Sequence, residues 1–106
     1  MAFTIKQNDT SPSLSAILKD SSLVAVDLTG ATVKLHMKSI DGILKINSAM
    51  TITSAIGGTV QYDWQTGDTD TVGTYLVEFQ VTYSDGAIET FPNSGNSIVS
   101  VVRELN

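Results

Sequence analysis

The chain contains no cysteine, which excludes a disulfide framework and any thiolate metal site. Its single histidine, His36, excludes a histidine-rich catalytic metal centre. Cations are scarce. Six Lys and Arg stand against eleven Asp and Glu, giving a formal net charge of −5, and a chain of that sign is poorly suited to a phosphate backbone. Nucleic acid is therefore not an expected partner. Long hydrophobic runs are missing too. The stretch from Leu23 to Val26 is typical, far below the ~20 residues of a membrane-spanning helix, so no membrane association is expected. Met1 to Gln7 lacks the basic start and apolar core of a secretory signal. The expectation is a protein made and kept in the cytosol, or assembled there before release. Neither a G-x-x-x-x-G-K-[ST] loop, nor G-x-G-x-x-G, nor a G-x-S-x-G elbow occurs. No enzyme activity and no cofactor are expected.

What the sequence does have is β-branched residues: 13 Thr, 10 Val and 9 Ile among 106. These stiff side chains favour strands over helices. A hydrophobic share of 42% is enough for one packed core, and the length suits a single domain over residues 1–106. Apolar residues recur with period two. Leu14, Ala16 and Leu18 share a face, as do Val33, Leu35 and Met37, then Val60, Tyr62 and Trp64. Tyr75, Val77, Phe79, Val81 and Tyr83 form the longest such series. This spacing predicts strands near 3–6, 13–19, 31–39, 44–47, 50–53, 59–64, 74–83, 87–91 and 97–103. Asp41-Gly42 and Asp85-Gly86 are hairpin signals, because Asp-Gly accepts positive φ. With turn signals every 8–12 residues or so and no helical segment between strands, the pattern predicts an all-β, antiparallel sandwich or barrel.

Few residues carry chemistry. Asp63, Asp68 and Asp70 lie close together beside Gly67. Loop carboxylates can hold Ca²⁺, yet the spacing is not that of an EF-hand, and Asp and Thr are ordinary turn formers. In Asp70-Thr71-Val72-Gly73-Thr74-Tyr75 the tyrosine sits as it does in the corner of immunoglobulin-like domains, with one residue more between Asp and Tyr. That points to a structural role for Tyr75. His36 falls between Lys34 and Lys38 on a polar strand face and reads as a surface residue. Lys34, Lys38 and Lys45 would form a small basic patch across neighbouring strands, or simply protect a sheet. The strand at Ile98 to Val102 is apolar on both faces, and Leu76 adds an apolar residue to the polar face of its own strand. Extra apolar surface of this kind is either core or an interface buried in an assembly.

Four stretches together carry a resemblance: FTIKQNDTSPSL at Phe3 to Leu14, VDLTGATVKLHMK at Val26 to Lys38, GTVQYDWQTGDTDTVGTYLVEFQVTYSDG at Gly58 to Gly86, and ETFPNSG at Glu89 to Gly95. The turn at Asp27 to Ala31 and the Tyr-x-Trp-x-x-Gly-Asp-Thr stretch at Tyr62 to Thr69 carry most of it. In this combination and order the chain resembles the amino-terminal domain of phage baseplate upper proteins and related small virion proteins of tailed phages. The resemblance implies an immunoglobulin-like β-sandwich of about seven to eight strands and a non-enzymatic structural role in a virion, assembled in the host cytoplasm. In that family a stalk bearing receptor-binding modules follows the domain. These 106 residues hold no such stalk, so a freestanding component is expected.

The expected function is a tail or baseplate structural protein that docks in many copies on a symmetric scaffold, self-associating weakly when free. Its partners would be phage structural proteins, either the tail hub and baseplate or the major capsid protein. The alternatives are a capsid-decorating, head-fibre or neck protein, or a module binding a host surface or carbohydrate. The last would need exposed aromatic rings, and most aromatics alternate onto apparent core faces. Sandwich loops cluster at the ends, where binding happens. The candidate contact residues are therefore Asn8, Asp9 and Thr10 in the first loop, Asp68 and Asp70 in the second, and Asn93, Ser94 and Asn96 in the third.

Overall fold

Alternation decides the architecture. In the computed structural model, which describes residues 2–92 and 97–105, nine strands form among those residues: β1 (Ala2–Lys6), β2 (Leu14–Ile17), β3 (Thr32–Ser39), β4 (Leu44–Ala49), β5 (Thr51–Ser54), β6 (Thr59–Tyr62), β7 (Gly73–Thr82), β8 (Ile88–Phe91) and β9 (Ser97–Val102). One sheet runs β1-β9-β7-β3-β4, with β8 also paired to β7. The other is β2-β6-β5. The two pack face to face as a sandwich, because each has one apolar face to hide. On β7 the inward set Tyr75, Val77, Phe79 and Val81 is buried, and the facing residues of β3, Val33, Leu35 and Met37, meet it from the same sheet. Leu14, Val60, Tyr62 and Trp64 complete the core from the smaller sheet and its end.

Both Asp-Gly hairpins form. Gly42 and Gly86 each adopt φ of 89°, a conformation that glycine reaches without a Cβ penalty. Between β4 and β5 only Met50 intervenes, and its amide donates to Val33 O at 2.8 Å. There the chain passes from one sheet to the other. Leu18, expected as the continuation of β2, instead bridges two neighbours: its amide donates to Gly58 O and its carbonyl accepts from Val26 N. A side hairpin closed by the Lys19–Ala25 bridge follows, turned by Asp20, whose carboxylate accepts from the amides of Ser22 and Val24.

Two features depart from the purely antiparallel, hairpin-linked pattern. β1 pairs with β9 in parallel, Ala2 opposite Ile98 through Lys6 opposite Val102. β8 and β9 share one edge of β7 in succession, with Phe91 opposite Phe79 and Ser97 opposite Val77. The apolar residues whose destination the sequence left open lie outside the core. Leu76 and Ile98 stand on the outer face of the larger sheet, opposite one another in register, and Ile98 is 37% exposed.

Candidate functional site

The registers bring several loops to one end of the sandwich. β1 and β9 finish there, β7 begins there, and the β3–β4 hairpin turns there. The segment after β1 and the segment before β7 meet and are stapled. Asn8, whose φ of 69° suits asparagine better than most residues, donates its amide to Thr69 O at 3.0 Å. The Thr69 hydroxyl donates to Asp9 O at 2.8 Å. Gln7 Nε2 donates to Asp70 O at 2.9 Å, and the indole of Trp64 donates to Pro12 O at 3.0 Å. Thr69 is only 1% exposed, so the junction is a weld anchored on a buried polar side chain, while Asn8 and the Gln7–Asp70 bond lie at the surface. Bonds of this kind hold two loops in one relative position.

The carboxylates here are occupied. Asp68 accepts from the Tyr62 hydroxyl at 2.6 Å and from Gln65 N at 2.8 Å, closing its own turn. Desolvation, helped by that carboxylate, pushes the Tyr62 phenol up to about 12. Asp70 accepts from Lys45 Nζ at 2.6 Å and from the Thr71 hydroxyl. These bonds, Lys45 first, hold its carboxyl below the usual range. Asp63 accepts from Ser13 and Gln61, which lowers its pKa in the same way. The three acids are thus spent on three separate tasks, and among the described residues no cluster of His, Asp and Glu could hold a metal ion. Lys45 leaves the basic patch expected with Lys34 and Lys38, because it turns to Asp70. Tyr75 does make a corner: its hydroxyl donates to Thr71 O at 2.7 Å, locking the base of the second loop to β7.

Of the sequence-derived candidates, Asn8, Asp9, Thr10, Asp68 and Asp70 belong to this stapled end. Asn93, Ser94 and Asn96 lie outside the described residues. The strands flanking them leave and rejoin β7 at Phe79 and Val77, four to six residues along the strand from Gly73, or roughly 13–20 Å. The sequence reading missed a third contributor, the hairpin tip. Ile40 and Ile43 are 64% and 68% exposed, and Val72, facing them from the second loop, is 42% exposed. With Lys45, Thr71 and Tyr75 they line an open groove of about 520 Å³. The signal was present: two isoleucines flank Asp41-Gly42, where a turn is ordinarily polar. Aromatic side chains offer nothing comparable. Trp64 is 4% exposed and packs edge-on against Tyr62, which leaves no ring there on which a sugar could stack.

These observations define an immunoglobulin-like β-sandwich whose conspicuous surface is a rigid loop end with an apolar groove. A family model, the BppU N-terminal domain, matches residues 2–92. The chain belongs to that family, the amino-terminal domains of phage baseplate upper proteins, and is a baseplate-related structural protein of a virion. Among solved structures, CopC from Methylosinus trichosporium OB3b is similar, with a TM-score of 0.56, 16% identity, and coverage of 98% of this chain and 86% of that one. At that identity the likeness concerns the fold alone. No curated protein matches.

Proposed function

We propose that residues 1–106 act as one non-enzymatic docking unit, assembled in the host cytoplasm and seated in several copies on a symmetric baseplate scaffold. The loop end is the seat. The observation that carries this reading is the buried Thr69 weld between the first and second loops. It fixes the loops before any partner arrives, so little ordering entropy remains to be lost on binding. Ile40, Ile43 and Val72 supply the apolar centre of the contact. Asp41 lies on that groove, Asp9 and Asp68 stand on the neighbouring loops of the same end, and the complementary scaffold surface would be apolar with basic surroundings.

Electron microscopy of purified particles tests this. Density for the sandwich on the tail tip, loop end inward, is the expected result. Density on the capsid would move the partner to the major capsid protein. Absence from intact particles would refute the proposal. A finer test is Ile43→Asp, which leaves the core untouched and should reduce incorporation into particles several-fold.

A further inference from the structure

The outer face of the larger sheet carries a cross-strand row unlike its neighbours. In register across β4, β3, β7, β9 and β1 stand Leu44, Lys38, Leu76, Ile98 and Ala2. Leu44 is 50% and Ile98 37% exposed. The next row toward the far end reads Asn47, His36, Glu78. A solvated face of an antiparallel sheet is ordinarily polar, and this row is apolar except at Lys38, whose aliphatic stem can itself cover apolar surface; apolar surface gathered on such a face marks an interaction surface.

We infer that this face pairs with the same face of a second copy, about a two-fold axis running parallel to the strands along the β3–β7 seam. The reasoning is register. Such an axis keeps each row and exchanges the columns, so β3 faces the partner's β7 and β4 faces the partner's β9. Leu44 then meets Ile98, Lys38 lays its aliphatic stem over Leu76, His36 meets Glu78 and Lys34 meets Gln80, each contact occurring twice, as an isologous interface requires. Leu44 and Ile98 coincide, and the one carboxylate on the seam meets the imidazole. A two-fold running along the row instead sets Lys38 against Lys38, which like-charge repulsion disfavours. Packed sheets cross at about −30°, and the His36 and Glu78 positions flank the axis, where that rotation displaces them least. The paired face measures roughly 20 by 20 Å from strand and residue spacings. That is on the order of 400 Å² per copy, at the transient end of specific interfaces. The pairing is therefore weak in solution. It does not depend on the loop-end docking reading.

Sedimentation of the full chain over a concentration series tests it. Dimer should appear between about 10 µM and 1 mM. His36→Glu should weaken dimerisation about ten-fold, since it sets carboxylate against carboxylate in both seam pairs. Glu78→Lys takes the one carboxylate from a seam that already carries Lys34 and Lys38 and should weaken it as well. The decisive step is mixing the two variants. In the mixed dimer, Glu at 36 of one copy faces Lys at 78 of the other, while Glu78 faces His36, so association should return to near the unsubstituted level. No effect within a single chain produces that rescue. Ile98→Ser, a milder change outside the core, should also weaken the dimer. A chain that stays monomeric at 1 mM, or a mixture that behaves as the average of its two components, would overturn the inference.

Discussion

Replacing Thr69 by valine tests the weld directly. The two side chains are nearly isosteric, so packing at a position 1% exposed is kept and only the hydroxyl is lost. That hydroxyl donates to Asp9 O at 2.8 Å, and the half-buried carbonyl would be left without it. A made hydrogen bond contributes about 1 kcal/mol, and an orphaned buried acceptor costs about 1–3 kcal/mol. The expected loss is about 2 kcal/mol, out of a total for such a domain of about 5–15 kcal/mol. The corresponding fall in Tm is roughly 10 °C. Thr69→Ser keeps the donor and loses one methyl, so it should cost about 1 kcal/mol. Trp64 provides the assay, because its indole is buried and bonded to Pro12 in the same junction, and its fluorescence follows urea unfolding. Hydrogen exchange at the Asn8 amide, which donates to Thr69 O, should quicken in the valine variant even where global stability is restored by lower temperature. A valine variant within 0.3 kcal/mol of the parent chain, about the error of such measurements, would refute the weld. So would a serine variant less stable than the valine one.

Glycine substitutions should separate two effects. At Gly58, with φ of 65°, an added Cβ would lie 2.8 Å from the backbone oxygens of both Leu18 and Val26, so Gly58→Ala should cost about 3 kcal/mol or more in urea unfolding. At Gly42 nothing lies within 4 Å, and Gly42→Ala should cost only the left-handed backbone penalty of about 1 kcal/mol. Tyr75→Phe removes the bond to Thr71 O and should cost about 1 kcal/mol while speeding exchange in the second loop. In an alkaline absorbance titration, Tyr62 and Tyr83 should ionise near 12 rather than 10. Burial, and then the carboxylates of Asp68 and Glu89, favour their protonated forms, so their contribution to stability is whole below pH 10 and lost as the pH rises toward 12. At the acid end the depressed carboxyls of Asp27, Asp63 and Asp70 act with the opposite sign. Their contribution is present above about pH 4 and fades as the pH falls below it, which stability measured from pH 5 to 2 would show.

Local chemistry was legible in the sequence, and long-range pairing was not. Period-two alternation located every strand to within a few residues, because each strand has one face to bury. The two Asp-Gly turns fixed the β3–β4 and β7–β8 hairpins by backbone geometry alone. That Trp64 shares an apolar face with Val60 and Tyr62, and that Tyr75 makes a corner, followed from residue type and position. By contrast, the parallel pairing of β1 with β9 joins the two ends of the chain, and no local spacing encodes it. The weld has the same character. Thr69 looks like any turn threonine until the fold sets Asp9 beside it, 60 residues away in sequence. Lys45 likewise reads as a strand lysine, and only the β3–β4 bulge near Lys38 accompanies its turn toward Asp70. Leu76 and Ile98 were visibly surplus apolar residues, but choosing between core and surface required knowing which face of β7 the smaller sheet covers.

The direction of the inferred two-fold bears on the proposed docking. An axis parallel to the strands leaves positions along the strand unchanged, so both loop ends of a dimer point the same way. An axis across the strands would send them in opposite directions and leave one end of each pair without a scaffold. With both ends level, the second docks at an effective concentration set by a rigid body rather than by diffusion, and weak individual contacts can combine with avidity of 10²-fold or so. The dimer and the loop end then reinforce each other without either being strong, and the chain can remain largely monomeric until a scaffold collects it. Particles assembled with His36→Glu alone should therefore incorporate less of the protein than those given the equimolar mixture with Glu78→Lys. Equal incorporation in the two cases would mean that the loop end seats each copy independently.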